Sequence, residues 1–220
     1  MKRRDLLGVA AAPLLLGSVA LAQAQGAPVE GVHFKTLRQS QPAASGAVEV
    51  TEFFWYGCPV CDGFEPYLVN WAQKLDAGVV LRKVHVGGRA QIRQHQQLFL
   101  TLEAMGEESR LRPRIFDALH RQHLALDSEE AIAQFVVSQG VDGAKFKSMW
   151  QSFGLQARMQ QANQLVQRTL SDSGVPTLCV GGRYITSPAM AGVGAASRQE
   201  AGRRALVVTD YLLEQLRRRA

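Results

Sequence analysis

Val50-Thr51-Glu52-Phe53-Phe54-Trp55-Tyr56-Gly57 runs directly into Cys58-Pro59-Val60-Cys61, and this junction decides the fold. The apolar, β-branched and aromatic run from Val48 to Trp55 reads as a buried strand. A C-x-x-C pair at its end places two sulfurs in the first turn of a helix. There the free N–H groups and the helix dipole favour thiolate over thiol. A zinc half-site is one competing reading, but a closed zinc site needs two further ligands of similar spacing. Cys179 stands alone, and His120 with His123 are i, i+3 on a predicted helix. A purely structural disulfide is the other, although a two-residue loop makes a strained, reducible bridge.

Outward from the junction, Pro59 to Asp76 reads as a helix, with Leu68, Trp71/Ala72 and Leu75 on one face and Gly78 closing it. Val79 to Val86 is a second strand, which makes a β-α-β unit with a parallel pair. An edge strand near Val32 to Leu37 precedes the unit. From Gly87-Gly88 to Gly174 the signals are helical. Leu98, Leu102 and Met105 mark one helix, and Ile115, Phe116 and Leu119 another. Ile132, Phe135 and Val136 mark a third, capped by Asp127 or Ser128; Asp142 caps a short fourth, and Leu155 to Leu170 forms a fifth. Pro176 to Val180, the turn Gly181-Gly182 and Arg183 to Thr186 then read as a hairpin whose outer side is an open edge. A final helix carries Ala205, Val208, Leu212 and Leu216 and ends in Arg217 to Arg219. With the dithiol at the first β-α junction, the order is an α/β thioredoxin-like fold with an inserted all-helical domain. The expected division is 25–88 with 174–220 for the sheet domain and 89–173 for the insert.

Lys2, Arg3 and Arg4 precede the apolar stretch Leu6 to Ala22, and Ala22-Gln23-Ala24 offers a small-residue cleavage site. Residues 1–24 therefore read as a secretory signal peptide, too short for a membrane helix. Export matters because disulfides persist outside the reducing cytosol. The signal holds three basic residues and Asp5, so its removal lowers the formal charge from +6 to +4. That excess does not argue for nucleic acid. Arg110, Arg112 and Arg114 lack interleaved aromatics and read as a solvated helix face.

Glu52-Phe53-Phe54, Cys58-Pro59-x-Cys61, Gly174-Val175-Pro176 and Gly182-Arg183-Tyr184 together resemble the exported DsbA family of thiol:disulfide oxidoreductases, and the resemblance extends over nearly the whole mature chain. It implies an enzyme of the periplasm that introduces disulfides into unfolded or folding exported proteins. It also implies a quinone-linked membrane reoxidant of the DsbB kind, a monomer, no metal, and no cofactor beyond the redox-active disulfide Cys58-Cys61. The oxidising direction comes from the resemblance and not from the spacing. A disulfide reductase or isomerase shares the dithiol, but the roughly 20 residues between signal and first core strand are too few for an extra dimerisation domain. A soft-metal chaperone using the same pair is the remaining alternative.

Cys58 is the expected nucleophile and Cys61 the resolving thiol. Val175-Pro176 resembles the family's cis-proline segment that faces the dithiol and pairs with extended substrate. Glu52, an acid in an apolar strand, reads as proton acceptor for Cys61, and Lys83 on the neighbouring strand resembles the family's partner for that acid; the alternative is an outward-facing carboxylate. Pro59 and Val60 complete the tetrad. Val60 departs from the best-known members, which carry His there, so a less stabilised Cys58 thiolate and a less oxidising site are expected. Cys179, in a predicted central strand, reads as a buried free thiol.

Overall fold

The structure is a computed structural model that describes residues 26–38, 47–170 and 173–219. The expected signal peptide, residues 1–24, lies outside these. Strand β1 is Lys35–Thr36, β2 Val48–Phe54, helix α1 Pro59–Ala72 and β3 Val79–His85. Five helices follow before the sheet resumes: α2 (Ala90–Met105), α3 (Glu108–His120), α4 (Glu129–Ser138), α5 (Gly143–Trp150) and α6 (Phe153–Leu170). The chain closes with β4 (Thr177–Val180), β5 (Tyr184–Thr186), α7 (Pro188–Ala191) and α8 (Arg198–Arg217).

The sheet order is β1-β5-β4-β2-β3, with β2 and β3 parallel and every other pair antiparallel. Because side chains alternate along a strand, β2 serves different cores. Val50 packs with Phe64 and Leu68 of α1 and with Ala205 and Leu212 of α8. Phe53 packs with Val84, Cys179, Ile185 and Leu170. Phe54 joins a third cluster, built mostly by α2 to α6 around Leu98, Leu102, Ile115, Ile132, Phe146 and Trp150. That cluster also contains Tyr56, Cys58 and Cys61, so the helical segment is packed onto the dithiol itself.

Local chemistry explains the boundaries. Ser128, not Asp127, caps α4 through its hydroxyl to Ala131 N, and Asp142 caps α5 at Lys145 N. Gly181 and Gly182, both at positive φ, make the β4-β5 turn that needs left-handed backbone at both positions. Helix α1 stops at Ala72, earlier than Asp76, and Gly78 is not its cap. Gln73 is the C-cap, and Gly78 offers its carbonyl to Val48 N at 2.8 Å, where β2 begins. The hairpin is not an open edge, because β1 pairs antiparallel with β5. Helix α7 lies outside the expected elements, being a single turn, though Ser187 caps it and Pro188 opens it.

Candidate active site

After β2 the chain makes one turn, closed by Cys58 N donating to Trp55 O at 3.0 Å. Gly57 is required in it, since a Cβ there would lie 2.4 Å from a Trp55 ring carbon. Cys58 is thereby the N-cap of α1, its sulfur accepting from Cys61 N at 3.4 Å, with Pro59 at the first helical position. Cys58 is 8% exposed and Cys61 1%, so Cys58 shows solvent only a sliver of surface. All three cysteines are thiols in the structure.

The two active-site sulfurs differ sharply in acidity. Cys58 is lowered to about 6. The largest cause is its hydrogen bond with the Cys61 thiol, opposed by burial and helped by the N–H groups of Cys61 and Val60 and by the charge of His120. Cys61 is pushed far above the ordinary thiol range by burial, by Cys58 and by the Glu52 carboxylate. The Cys58 thiol lies 3.6 Å from Val175 O, and the Val175–Pro176 peptide is cis. Val60, Val175 and Trp55 are half-buried against the third cluster.

Glu52 is wholly buried, not outward-facing, and accepts from Lys83 Nζ. Burial raises its carboxyl, against the pull of Lys83. Lys83 also donates to Glu65 at 2.7 Å. Arg112 donates to Glu108 of its own helix at 2.8 Å and reaches across to Glu65 of α1 at 3.1 Å, and the Tyr56 hydroxyl donates to Glu108 at 2.7 Å. Arg112 is thus no part of a solvated face: its side chain is 15% exposed. Arg110 and Arg114, on the same helix, are exposed as expected. The i, i+4 spacing of Glu108 and Arg112 was a visible signal, but such pairs are usually exposed.

His120 Nε2 lies 2.7 Å from Tyr56 O, His85 Nε2 accepts from Tyr56 N at 3.2 Å, and His95 Nδ1 accepts from Trp55 Nε1 at 3.0 Å. Sequence reasoning assigned none of these three histidines to the site. His123, paired with His120 in the sequence reading, lies beyond α3 at positive φ. Among the described residues no three His, Cys, Asp or Glu side chains form a metal-holding group. Cys179 is buried on the far face of the sheet and pushed up to about 12 by burial. It lines a cavity of about 340 Å³ whose lining includes neither active-site cysteine.

The family model of the DSBA-like thioredoxin domain matches residues 49–202, from the first core strand into α8. The chain belongs to the DsbA family. It is 41% identical over 180 residues to the thiol:disulfide interchange protein DsbA of Burkholderia cepacia, covering 80% of this chain and 84% of that one. It is 36% identical to the Pseudomonas aeruginosa DsbA over 99% of this chain and 98% of the relative. The crystal structure of Pseudomonas aeruginosa DsbA superposes with a TM-score of 0.79 at 35% identity, covering 86% and 95% of the two chains. The oxidoreductase DsbA1 of Neisseria meningitidis gives 0.72 at 28%, covering 87% and 95%. The protein is a thiol:disulfide oxidoreductase with a thioredoxin-like DsbA fold, and its redox group is a cysteine pair.

Proposed function

We propose that the Cys58-Cys61 disulfide is donated to exported proteins as they fold in the periplasm. A substrate thiolate attacks Cys58 Sγ and breaks the Cys58–Cys61 bond, and Cys61 leaves and takes up a proton. A second substrate thiolate then attacks the substrate sulfur of the mixed disulfide, so the substrate is oxidised and Cys58 leaves as thiolate. The observation that carries this reading is the acidity split of the dithiol: Cys58 lowered to about 6, Cys61 far above the thiol range. A thiolate that is stable once expelled is a good leaving group, which favours the reduced enzyme and drives oxidation of the substrate.

Glu52 serves as the proton relay for Cys61. Support comes from its buried carboxylate, which has an unpartnered Oε1 and acts on the Cys61 thiol. Lys83 holds Glu52 in place. Val175 and Pro176 form the edge against which an extended substrate segment pairs, Pro59 opens the helix without an N–H to satisfy, and Val60 packs beside the nucleophile. The segment 89–173 is an inserted helical domain covering the dithiol of the 25–88 and 174–220 unit. Residues 1–24 direct export and are removed. A quinone-linked membrane protein of the DsbB kind reoxidises the enzyme, which works as a monomer.

The test is to mix the oxidised protein with a reduced, unfolded two-cysteine substrate, and in parallel to look for a Cys58-linked adduct in Cys61→Ser. Substrate oxidation with a trapped adduct supports the reading. Failure of both overturns it, and disulfide reshuffling without net oxidation points instead to an isomerase.

A further inference from the structure

Three histidines hold the turn that delivers Cys58, and none comes from β2 or α1. His85 belongs to β3, His95 to α2 and His120 to α3. Their hydrogen bonds assign different protonation states. His85 Nε2 accepts from Tyr56 N, and its Nδ1 lies 2.8 Å from Val86 O, a carbonyl that can only accept. Its ring is therefore neutral with the proton on Nδ1. His95 Nδ1 accepts the Trp55 indole proton, which also requires an unprotonated nitrogen. Burial pushes both rings down in pKa, His85 to about 3.

His120 is the exception. Its Nε2 faces the Tyr56 carbonyl and must donate. Its Nδ1 has no hydrogen bond among the described residues, and the ring is half-buried, stacked on Phe116 at 6.0 Å. A second proton on Nδ1 breaks nothing, so of the three only His120 can become a cation without losing a contact to the turn. We propose that His120 is a positioning residue for disulfide exchange: it fixes the Tyr56 peptide, two residues before the nucleophile, and brings a positive charge toward the Cys58 sulfur.

This charge does from α3 what the side chain between Pro59 and Cys61 cannot do when it is valine. The titratable groups whose charges couple to the imidazole are Cys58 at the head of α1 and His95 from α2, and on its own element Arg121, the C-cap of α3, pairs with Asp117 one turn back. Asp62 of α1 also binds Arg121, at 3.2 Å, so one guanidinium is shared by two carboxylates and these three groups together carry one negative charge. The inference rests on Cys58 being the nucleophile.

The reduced wild type, His120→Ala and His120→Gln are titrated for thiolate by ultraviolet absorbance and equilibrated with glutathione, with alkylation and mass mapping to identify the acidic thiol. Glutamine keeps an N–H donor for Tyr56 O but cannot carry charge. Both variants are expected to raise the Cys58 pKa by roughly half to one unit and to be about threefold to tenfold less oxidising, with His120→Gln keeping the wild-type unfolding midpoint. Unchanged titration in either folded variant overturns the proposal, and so does full restoration by glutamine. If the wild type itself shows no acidic thiol at Cys58, the nucleophile assignment fails instead.

Discussion

Glu52 Oε2 accepts a hydrogen bond from Lys83 Nζ, while Glu52 Oε1, equally buried, has no partner among the described residues. A carboxylate oxygen left bare in the interior is costly, and here it belongs to the acid that acts on Cys61. The cost fits a group that exchanges a proton during each turnover.

Glu52→Gln separates that role from stability. Glutamine cannot relay a proton, so closure of the Cys58–Cys61 bond from a mixed disulfide should slow by about tenfold to a hundredfold, measured by stopped-flow reoxidation. Stability should move the other way. Burial raises the Glu52 pKa, so the folded state holds this proton more tightly than the unfolded chain, and wild-type stability falls as pH rises above the ordinary carboxylate range. The variant lacks that slope. Its unfolding midpoint should match the wild type in acid and exceed it at neutral pH, and the reverse order would show that the ion pair with Lys83 outweighs desolvation.

Val60→His tests the tetrad. Val60 is half-buried beside the dithiol, and its backbone N–H already helps stabilise the Cys58 thiolate. An imidazole there adds a donor and a charge without removing that N–H. The Cys58 pKa should fall by roughly one unit, with a more oxidising equilibrium against glutathione. An equal or higher pKa would mean that the helix N-terminus already saturates the thiolate.

The sheet and its junction were legible because β2, α1, β3 and the β4-β5 hairpin each carry a local pattern: alternation, a periodic apolar face, a glycine turn. Glu52 and Lys83 were paired through the family resemblance, and the parallel register of β2 and β3 places them directly opposite one another. The rest of the site is tertiary. His85, His95 and His120 reach the Trp55-Tyr56 turn from 29, 40 and 64 residues away, and periodicity carries no information about such contacts. Arg112 was misread for a related reason: a helix charge looks solvated unless the surface opposite is known, and here Glu65 of α1 lies opposite.

Alkylation of the native reduced protein should distinguish the three thiols. Cys58 should react with a rate that drops about tenfold per pH unit below its pKa of about 6 and levels off above it. Cys61 and Cys179 should stay unmodified, both being buried with raised pKa values. The same shift makes the reduced protein more stable as pH rises from about 6 toward 9.0, where an unperturbed thiol ionises. Labelling of Cys179 at a rate like that of Cys58 would refute its burial, and intact-mass analysis after a short pulse reads the outcome directly.

Arg112→Met removes the cation that joins α3 to α1. Glu108 would keep the Tyr56 hydroxyl and Glu65 would keep Lys83, but each would lose a charge-assisted hydrogen bond in a nearly closed site. Removing one partner of a buried pair strands the other, so the cost should be roughly 3 kcal/mol, or about 6 to 12 °C in unfolding midpoint for a chain of this size. Arg110→Met is the control. That side chain is 47% exposed on the same helix, and its loss should cost below about 1 kcal/mol. The Arg112 deficit should shrink when Glu108→Gln is added, because the double variant removes a stranded charge while the amide oxygen still accepts from Tyr56. An undiminished deficit would mean that Arg112 stabilises α3 by packing its stem rather than by pairing its charge.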